Sequence, residues 1–229
     1  HENTGDGPAL AFAAGASLQD MEMVQFHPTG MVKPEEKVGS LVTEAVRGEG
    51  GRLFNGNGER FMKRYSPQKM ELDARDQVAR AIYRELEKGN GTESGGVYLD
   101  ISHVDSDLVR ERLPDIVEKF RKVGVDPTRE KMEVAPTTHY SMGGVRIDFE
   151  TGETEVSGLF AVGEVTAGLH GANRLGGNSL AEVVTFGQLF AGSIKEYAGN
   201  KSLPTVPESM TQAGLNEVEG LLDGNGDTE

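Results

Sequence analysis

Three side chains from well-separated parts of the sequence are chemically suited to bind a small anion: His27, His139 and Arg174. His27 precedes a proline, which favours extended backbone at a strand end, and His139 comes just before a Gly-Gly turn. Arg174 lies among small residues, where a long cation can reach into a cleft. Together they suit a dicarboxylate, because each carboxylate needs its own charge-assisted donors once water is removed. For either histidine taken singly, a structural role is the more frequent one.

Arg75 is a fourth candidate, in the segment MELDARDQVARAI. The pattern predicts a helix whose first turn contains Arg75, and the helix dipole disfavours a cation at that end. A guanidinium that exchanges protons there must have its charge destabilised by its surroundings, for which a neighbouring cation such as Arg47 is a candidate. The ordinary alternative is an exposed arginine balanced by Asp73 and Asp76.

The segment that contains Arg174, Gly158 to Gly187, predicts a strand, a glycine-rich loop and a helix. Its apolar run Leu159 to Val162 stops at a glycine, as a short buried strand does. Ser179 and Glu182 stand three residues apart ahead of apolar positions, which predicts a capping box that opens an amphipathic helix. The free N–H groups of a helix N-terminus suit a phosphate, a carboxylate or the carbonyl edge of a reduced flavin. An ordinary strand, loop and helix of an α/β core is the alternative.

The remaining elements predict a mixture of folds along the chain. The first residues form a glycine turn and a small-residue helix, PALAFAAGASL. The middle alternates short strands (MEMVQF, GRLF, GVYLDI) with charged helices near Ala74–Lys88 and Asp107–Val123, as a separate α+β domain does. A β pattern then returns with GGVRID and a TGET turn. We predict four regions: residues 1–20 and 138–200 as parts of one nucleotide-binding domain, 21–137 as an inserted domain, and 201–229 as a linker, bounded by Pro204, and the start of a helical region.

Composition narrows the classes of function. The 229 residues include 37 acidic and 23 basic side chains, a net charge of −14 that argues against binding nucleic acid or an anionic membrane surface. There is no cysteine, so redox chemistry would need a bound cofactor, and no protein metal site is expected. No apolar run is long enough to span a membrane. The dinucleotide fingerprint G-x-G-x-x-G is absent, which we expect of an internal fragment that begins after the first half of such a fold and that binds a dinucleotide weakly alone.

Six ordered motifs carry a resemblance to a known family. They are NTGDG, QFHPTG, TEAVRGEGG, MELDARDQVARAI, PTTHYSMGG and the run GLFAVGE followed by HGANRLGGNSL. In these motifs the chain resembles the flavoprotein subunit of succinate dehydrogenase and fumarate reductase, a family that also includes L-aspartate oxidase. The resemblance covers nearly the whole chain to about residue 200. It implies an α/β FAD-binding fold, Rossmann-like with its first βαβ half missing, and an inserted α+β capping domain.

The resemblance also implies a role for each matching residue. Hydride would pass between the substrate and FAD while Arg75 exchanges a proton, through a relay with Glu44 and Arg47. One substrate carboxylate would be held by His27 and Thr43 and the other by His139 and Arg174. The cofactor would be contacted by Asp6, Glu164, Asn178, Ser179 and Leu180.

Some features leave alternatives open. RLGGNSLAE favours the dehydrogenase and reductase branch over the oxidases, which tend to read RLASNSLLE, whereas TEAVRGEG fits either. Many family members have proline before the catalytic arginine, and Ala74 stands there in this chain. L-aspartate oxidase is therefore the second hypothesis, and a non-catalytic binding or assembly fragment is the third. The family further implies membrane anchor subunits and an iron–sulfur subunit, with a cytoplasmic location at the cytoplasmic face of the membrane through these partners.

Overall fold

A computed structural model of the chain describes residues 4–199, 201–202 and 205–223. The helices within these residues are α1 (Asp6–Ala13), α2 (Ala45–Gly48), α3 (Met62–Tyr65), α4 (Arg75–Glu87), α5 (Ser106–Arg112), α6 (Pro114–Arg121), α7 (Asn178–Gly199) and α8 (Glu208–Asp223). The strands are β1 (Leu18–Gln19), β2 (Val24–Met31), β3 (Arg52–Phe54), β4 (Val97–Asp100), β5 (Met132–Ser141) and β6 (Gly144–Val145). No helix in this part of the chain is long and apolar enough to cross a membrane.

A four-stranded antiparallel sheet, in the order β2-β5-β4-β3, organises the middle of the chain. Along β4 the residues alternate, with Val97 and Leu99 fully buried and Tyr98 and Asp100 half-buried, because successive side chains of a strand point to opposite faces. The strands predicted at GRLF and GVYLDI are confirmed, whereas the strand predicted at MEMVQF begins only at Val24 and continues to Met31. Their buried face belongs to one apolar core that includes Met31, Val42, Val46, Leu53, Phe61, Met62, Val78, Ile82, Val97, Leu99, Ile101, Met132 and Val134.

Helix α4 packs on β2 and β5 and confirms the predicted helix near residues 74–88. Its buried positions Val78, Ala81 and Ile82 recur at the spacing of one helical face. The helix begins at Arg75, because Ala74 still has extended backbone. The core therefore fixes the helix end at which Arg75 stands.

The single helix predicted over Asp107–Val123 is wrong, since the structure has two helices there. Asp105 caps α5 by accepting from the N–H groups of Asp107 and Leu108. Leu113 then leaves the helical region, with φ −129° and ψ 46°, and Pro114 opens α6. A proline lacks the N–H that would continue the helix but is well suited to a first helical position. One helix therefore ends before Pro114 and a second begins there.

The segments on either side of the sheet region pack around a smaller core. β1 pairs with β6, so the predicted strand GGVRID is reduced to Gly144–Val145. The predicted strand Leu159–Val162 is also wrong: it has only a single bridge, from Phe160 to Glu153. A strand needs a neighbour along its length, and the partner of this segment is limited to residues 152–154.

Helix α7 confirms the predicted helix, but the predicted capping box is wrong. The carboxylate of Glu182 is buried and accepts a hydrogen bond from Tyr140 instead of turning back toward Ser179. Two of the apolar positions, Leu180 and Val184, are exposed, while Phe190 is buried. The predicted polar helix after residue 204 is present as α8, although Pro204 lies outside the described residues.

The domain boundary expected between residues 137 and 138 falls inside β5, which runs without interruption from Met132 to Ser141. His139 therefore lies on the same strand as the residues assigned to the inserted domain. The division into four regions stays a prediction.

Candidate active site

A cavity of about 410 Å³ brings together five of the residues singled out in the sequence. Its walls come from β2, the segment before α2, the start of α4, α6 and the end of β5. The lining residues are His27, Leu41, Thr43, Glu44, Arg75, Asp115, Ile116, Lys119 and His139. Sequence reasoning missed the contribution of α6, whose charged pattern resembles any solvated helix.

His27 is held rigidly where β2 changes register. The pairing of β2 with β5 shifts between His27 and Gly30, which accommodates Pro28 in the strand, since proline cannot donate to a ladder. The Nδ1 atom lies 3.2 Å from the carbonyl oxygen of Thr29, and the ring meets that of His139 edge to face at 5.4 Å. Burial, and then the charges of Arg75, His139 and Arg47, lower the pKa of His27 to about 4. The ring is therefore neutral near pH 7.

Arg75 pairs with Glu44 rather than with its sequence neighbours. Its Nε donates to Glu44 Oε2 at 2.8 Å across the cavity wall. The carboxylate of Asp73 instead accepts from Ser66 and from the N–H of Ala74, and Asp76 accepts from Asn173. The arginine balanced by two adjacent aspartates, the ordinary alternative, is not what the structure contains.

Arg47 stands on the other side of Glu44 and is almost fully buried. Its Nη2 lies 3.9 Å from Glu44 Oε2, and its Nη1 donates to the carbonyl of Glu71 at 2.6 Å. The carboxylate of Glu71 is itself clamped by Arg60 and by the N–H of Leu53, so Arg47 is fixed to the core. Within the described residues, Nε and Nη2 of Arg47 are buried without a hydrogen-bond partner.

The electrostatics of this trio follow from burial and proximity. Burial lowers the pKa of Arg47, and the charge of Arg75 lowers it further while that of Glu44 opposes the change. Burial acts to raise the pKa of Glu44, but the hydrogen bond from Arg75 and the two guanidinium charges outweigh it, so this pKa is lowered. Glu44 is thus a carboxylate shared by two arginines, and we refer to Glu44, Arg47 and Arg75 as the relay side.

Arg174 and His139 form a second group, which we call the anchor side. Arg174 is only 4% exposed, and its Nη2 lies 3.0 Å from Gln25 Oε1 and 3.1 Å from His139 Nε2. Its Nε is buried and has no partner among the described residues. Burial and then the charge of Arg75 lower the pKa of Arg174, and burial, Arg174 and Arg75 lower that of His139. A desolvated cation with an unused donor is suited to bind an anion.

Gln25 is a site residue that sequence reasoning missed. Its Oε1 accepts from Arg174 Nη2, while its Nε2 donates to the carbonyl oxygen of Arg174 at 2.6 Å and to Asn173 Oδ1 at 2.9 Å. It lies two positions before His27 on β2, so both side chains point to one face. The signal available in the sequence was a polar glutamine two positions before a candidate histidine, and therefore on the same face of the strand.

Thr43 is placed by a short extended segment ahead of α2. The buried hydroxyl of Thr29 donates to the carbonyl of Val42 at 2.8 Å, and Lys119 Nζ donates to that of Leu41 at 2.8 Å. Thr43 Oγ1 in turn accepts from the N–H of Ala45 at 3.3 Å. The side chain of Thr43 therefore lines the cavity beside Glu44.

The residues expected to contact the cofactor lie at two helix starts and a loop. Asp6 opens α1, and Asn178, Ser179 and Leu180 form the first turn of α7 after Gly177, whose φ of +84° favours glycine. Glu164 accepts from the N–H of Ser141 at 3.0 Å. A Cβ on Gly7 would lie 2.7 Å from the side chain of Val165, so α1 approaches the segment of Glu164 closely.

These residues fit a flavin nucleotide. Asn178 and Leu180, in the first turn of the 22-residue helix α7, are exposed, so that end of the helix can accept an electron-rich ring edge or a phosphate. Exposed apolar side chains beside it, Leu175 and Val184, offer the nonpolar surface that an isoalloxazine ring needs.

Comparison with known proteins defines the class. A family model described as an FAD binding domain matches residues 1–180. A polypeptide of the CoM/CoB fumarate reductase of Methanothermobacter marburgensis is 61% identical over 184 residues, which cover 80% of this chain and 33% of that protein. L-aspartate oxidase 2 of Ralstonia nicotianae is 47% identical over 213 residues, 92% of this chain and 39% of that protein. A solved quinol fumarate reductase of Escherichia coli matches with a TM-score of 0.85 and 42% identity, over 99% of this chain and 41% of that chain.

The chain belongs to the FAD-binding proteins. Within them it belongs to the family of fumarate reductase and succinate dehydrogenase flavoprotein subunits. The predicted family, the oxidoreductase class of its members and the cofactor FAD are thereby confirmed. The mixed helix and sheet fold of this family is confirmed as well, while the missing half and the inserted capping domain stay predictions, as do the roles of the site residues. The chain spans between 33% and 41% of the length of these three relatives.

Proposed function

We propose that this chain is part of a longer flavoprotein that interconverts succinate and fumarate. The observation that carries the proposal is the position of Glu44 between Arg75 and Arg47 in a cavity that His139, the partner of Arg174, also lines. A proton carrier and a carboxylate anchor in one cavity are what this reaction requires. FAD, when bound, supplies the hydride acceptor or donor at its N5 atom.

The substrate carboxylates are assigned to two ends of the cavity. His139 and Arg174 hold one carboxylate, since the guanidinium has a buried Nε to spare. His27 and Thr43 hold the other through neutral donors. Two fixed carboxylates set the orientation of the two carbons between them, which lowers the entropic part of the barrier.

The transfer of the proton to or from the substrate is assigned to Arg75. In the fumarate direction one carbon receives a hydride while its neighbour receives a proton from Arg75, and Glu44 then returns a proton to the guanidine, with Arg47 beyond it. In the succinate direction the same steps run in reverse. The hydrogen bond of 2.8 Å between Arg75 and Glu44 supports this order. Which direction prevails in the cell depends on the potentials of the electron-transfer partners.

The predicted partners and location belong to the same proposal. The whole protein would pass electrons to an iron–sulfur subunit, with anchor subunits that place it at the cytoplasmic face of the membrane. Closure of the middle region over the substrate would exclude water during hydride transfer.

L-aspartate oxidation is the second candidate function. The 47% identity to an L-aspartate oxidase supports it, and so does Asp115, a carboxylate on the cavity wall that could pair with a substrate ammonium group.

Anaerobic addition of succinate or L-aspartate to the complete flavoprotein separates the two candidate functions. Bleaching of the flavin absorbance by succinate alone supports our proposal, bleaching by aspartate supports the oxidase, and bleaching by neither refutes both.

The Arg75→Ala variant tests the proton assignment. We expect the complete flavoprotein carrying it to retain FAD and to lose turnover by at least about a thousandfold, because the proton donor is removed. Arg80→Ala is the matched control, since Arg80 lies on the exposed face of the same helix with a side chain 67% exposed. Normal turnover by Arg75→Ala would refute the assignment.

A further inference from the structure

Glu182 has a buried carboxylate, in α7, that takes no part in the proposed reaction. It is 4% exposed, and its Oε2 accepts from Tyr140 Oη at 2.7 Å and lies 2.9 Å from His170 Nε2. Its Oε1 is 3.4 Å from the hydroxyl of Thr166. Glu182 thus joins the first turns of α7 to the end of β5 and to the loop that leads to Arg174.

Tyr140 connects this carboxylate to the anchor side. The Cζ atom of Arg174 lies 4.3 Å from the centroid of the Tyr140 ring, within the range of a cation–π contact. A phenol that donates to a carboxylate has a more electron-rich ring, which strengthens its attraction for a cation. Burial, and then the hydrogen bond to Glu182, raise the pKa of Tyr140, so the phenol remains the donor.

Arg174 otherwise lacks a close negative partner. Among the described residues no carboxylate oxygen lies within 4.0 Å of its guanidinium nitrogens, whose partners are the neutral groups of Gln25, His139 and Leu175. Electrostatic interactions with Tyr140, and then with Glu164 and Glu182, oppose the lowering of its pKa. The support from Glu182 therefore reaches Arg174 through the ring of Tyr140 and leaves the buried Nε of Arg174 unpaired.

We propose that Glu182 and Tyr140 are positioning residues, which hold Arg174, and with it His139, ready for a substrate carboxylate. A carboxylate paired directly with Arg174 would compete with the substrate, whereas one placed behind a phenol stabilises the cation without occupying it. The inference rests on the proposed function, because it assigns this support to the same anchor side.

Two variants separate the parts of this support. Tyr140→Phe keeps the ring under Arg174 and removes only the hydroxyl that meets Glu182. Glu182→Gln keeps the size and an acceptor for Tyr140 but removes the charge. Tyr83→Phe is the control, because Tyr83 is 58% exposed on α4, outside the cavity.

The experiment uses the complete flavoprotein and two readouts. Fumarate reduction with a chemical electron donor gives kcat and KM, and titration with malonate, followed by the flavin spectrum, gives a dissociation constant. We expect both variants to raise KM and the malonate dissociation constant about tenfold while kcat changes less than about threefold. The control variant should match the wild type, and the flavin content of each variant reports its folding.

Unchanged KM and malonate binding in Tyr140→Phe would overturn the inference, as would a fall in kcat alone, which is what a loss of active fraction produces. If the wild type binds malonate but turns over neither fumarate nor succinate, the proposed function fails and the malonate titrations still decide the positioning role. A wild type that neither binds nor turns over a dicarboxylate would overturn both.

Discussion

The relay side and the anchor side differ in whether a carboxylate lies next to their arginines. On the relay side a single carboxylate, Glu44, lies 2.8 Å from Arg75 and 3.9 Å from Arg47. On the anchor side Arg174 is just as buried as Arg47 but has only neutral partners within hydrogen-bond distance. One side contains its own counter-charge and the other does not.

This difference separates two tasks. A carboxylate that already sits between two guanidinium groups can pass protons between them without binding anything else. A buried guanidinium without a counter-charge gains most from an incoming anion, because the charge-assisted bond replaces lost hydration. We therefore expect changes on the relay side to act on kcat and changes on the anchor side to act on KM.

The largest effect in this comparison is expected from Glu44→Gln. The amide cannot carry a proton between Arg75 and Arg47, so kcat of the complete flavoprotein should fall about a thousandfold, with KM nearly unchanged. Steady-state kinetics of fumarate reduction measure both. Glu49→Gln, which disturbs only an ion pair with Arg112 outside the cavity, is the control and should leave kcat intact. A rise in KM without a fall in kcat would mean that Glu44 acts in substrate binding and not in proton transfer.

Arg174→Met should produce the opposite pattern with a smaller effect. Losing the cation removes charge-assisted bonds to one carboxylate, so KM and the malonate dissociation constant should rise by about ten- to a hundredfold while kcat falls less. Arg146→Met, an exposed arginine elsewhere on the chain, serves as control. If kcat fell and malonate still bound normally, the assignment of Arg174 as an anchor would have to be abandoned.

The sequence predicted which residues would meet, and for identifiable reasons. His27, Thr43, Glu44, Arg75 and His139 stand in the motifs that carry the family resemblance, and all five line the cavity. The ion-pair partners within the site were harder to predict from the sequence. Asp73 and Asp76 are nearest to Arg75 in sequence, yet Glu44 is the partner, because packing of α4 against the sheet brings distant segments together.

The fold could be predicted best where the hydrophobic period of the sequence matches the way the element packs in the structure. Strands β3 and β4 and helix α4 bury apolar residues in one core and were predicted well, whereas β5 was not predicted. The strand expected at Leu159–Val162 depends on a neighbour, and the capping box at Ser179 depends on Glu182 being free of tertiary contacts. Local patterns report on neither condition.

His27 reports first on its burial in the cavity and then on the positive charges of Arg75, His139 and Arg47 around it. Its pKa is lowered to about 4 in the folded chain, against an ordinary value of 6.5. The unfolded state therefore binds more protons between these values, and stability that is complete above pH 6.5 is lost as the pH falls toward 4. We expect the free energy of unfolding to fall by roughly 2 kcal/mol from this residue between about pH 7.5 and about pH 5.

Urea unfolding of the chain at several pH values checks this expectation. His27→Gln should show a shallower loss of stability in acid, with a residual slope because the pKa of His139 is lowered too. His103→Gln changes an exposed histidine and should keep the wild-type dependence. If His27→Gln also kept it, His27 would not be held neutral by its burial and by the neighbouring cations.

The smallest effect is expected where the two sides touch. A Cβ on Gly176 would lie 3.5 Å from Arg75 Nη2 and 3.8 Å from Glu44 Oε2, which is ordinary contact, so Gly176→Ala should change stability by less than about 0.5 kcal/mol and kcat by only about two- to threefold. Gly177 has φ +84°, and Gly177→Ala should cost about 1 kcal/mol from backbone strain. Urea midpoints and kcat of the two variants test both values. A large loss of kcat in Gly176→Ala at unchanged stability would mean that the loop carrying Arg174 also sets the geometry of Arg75, so that the two sides act as one unit.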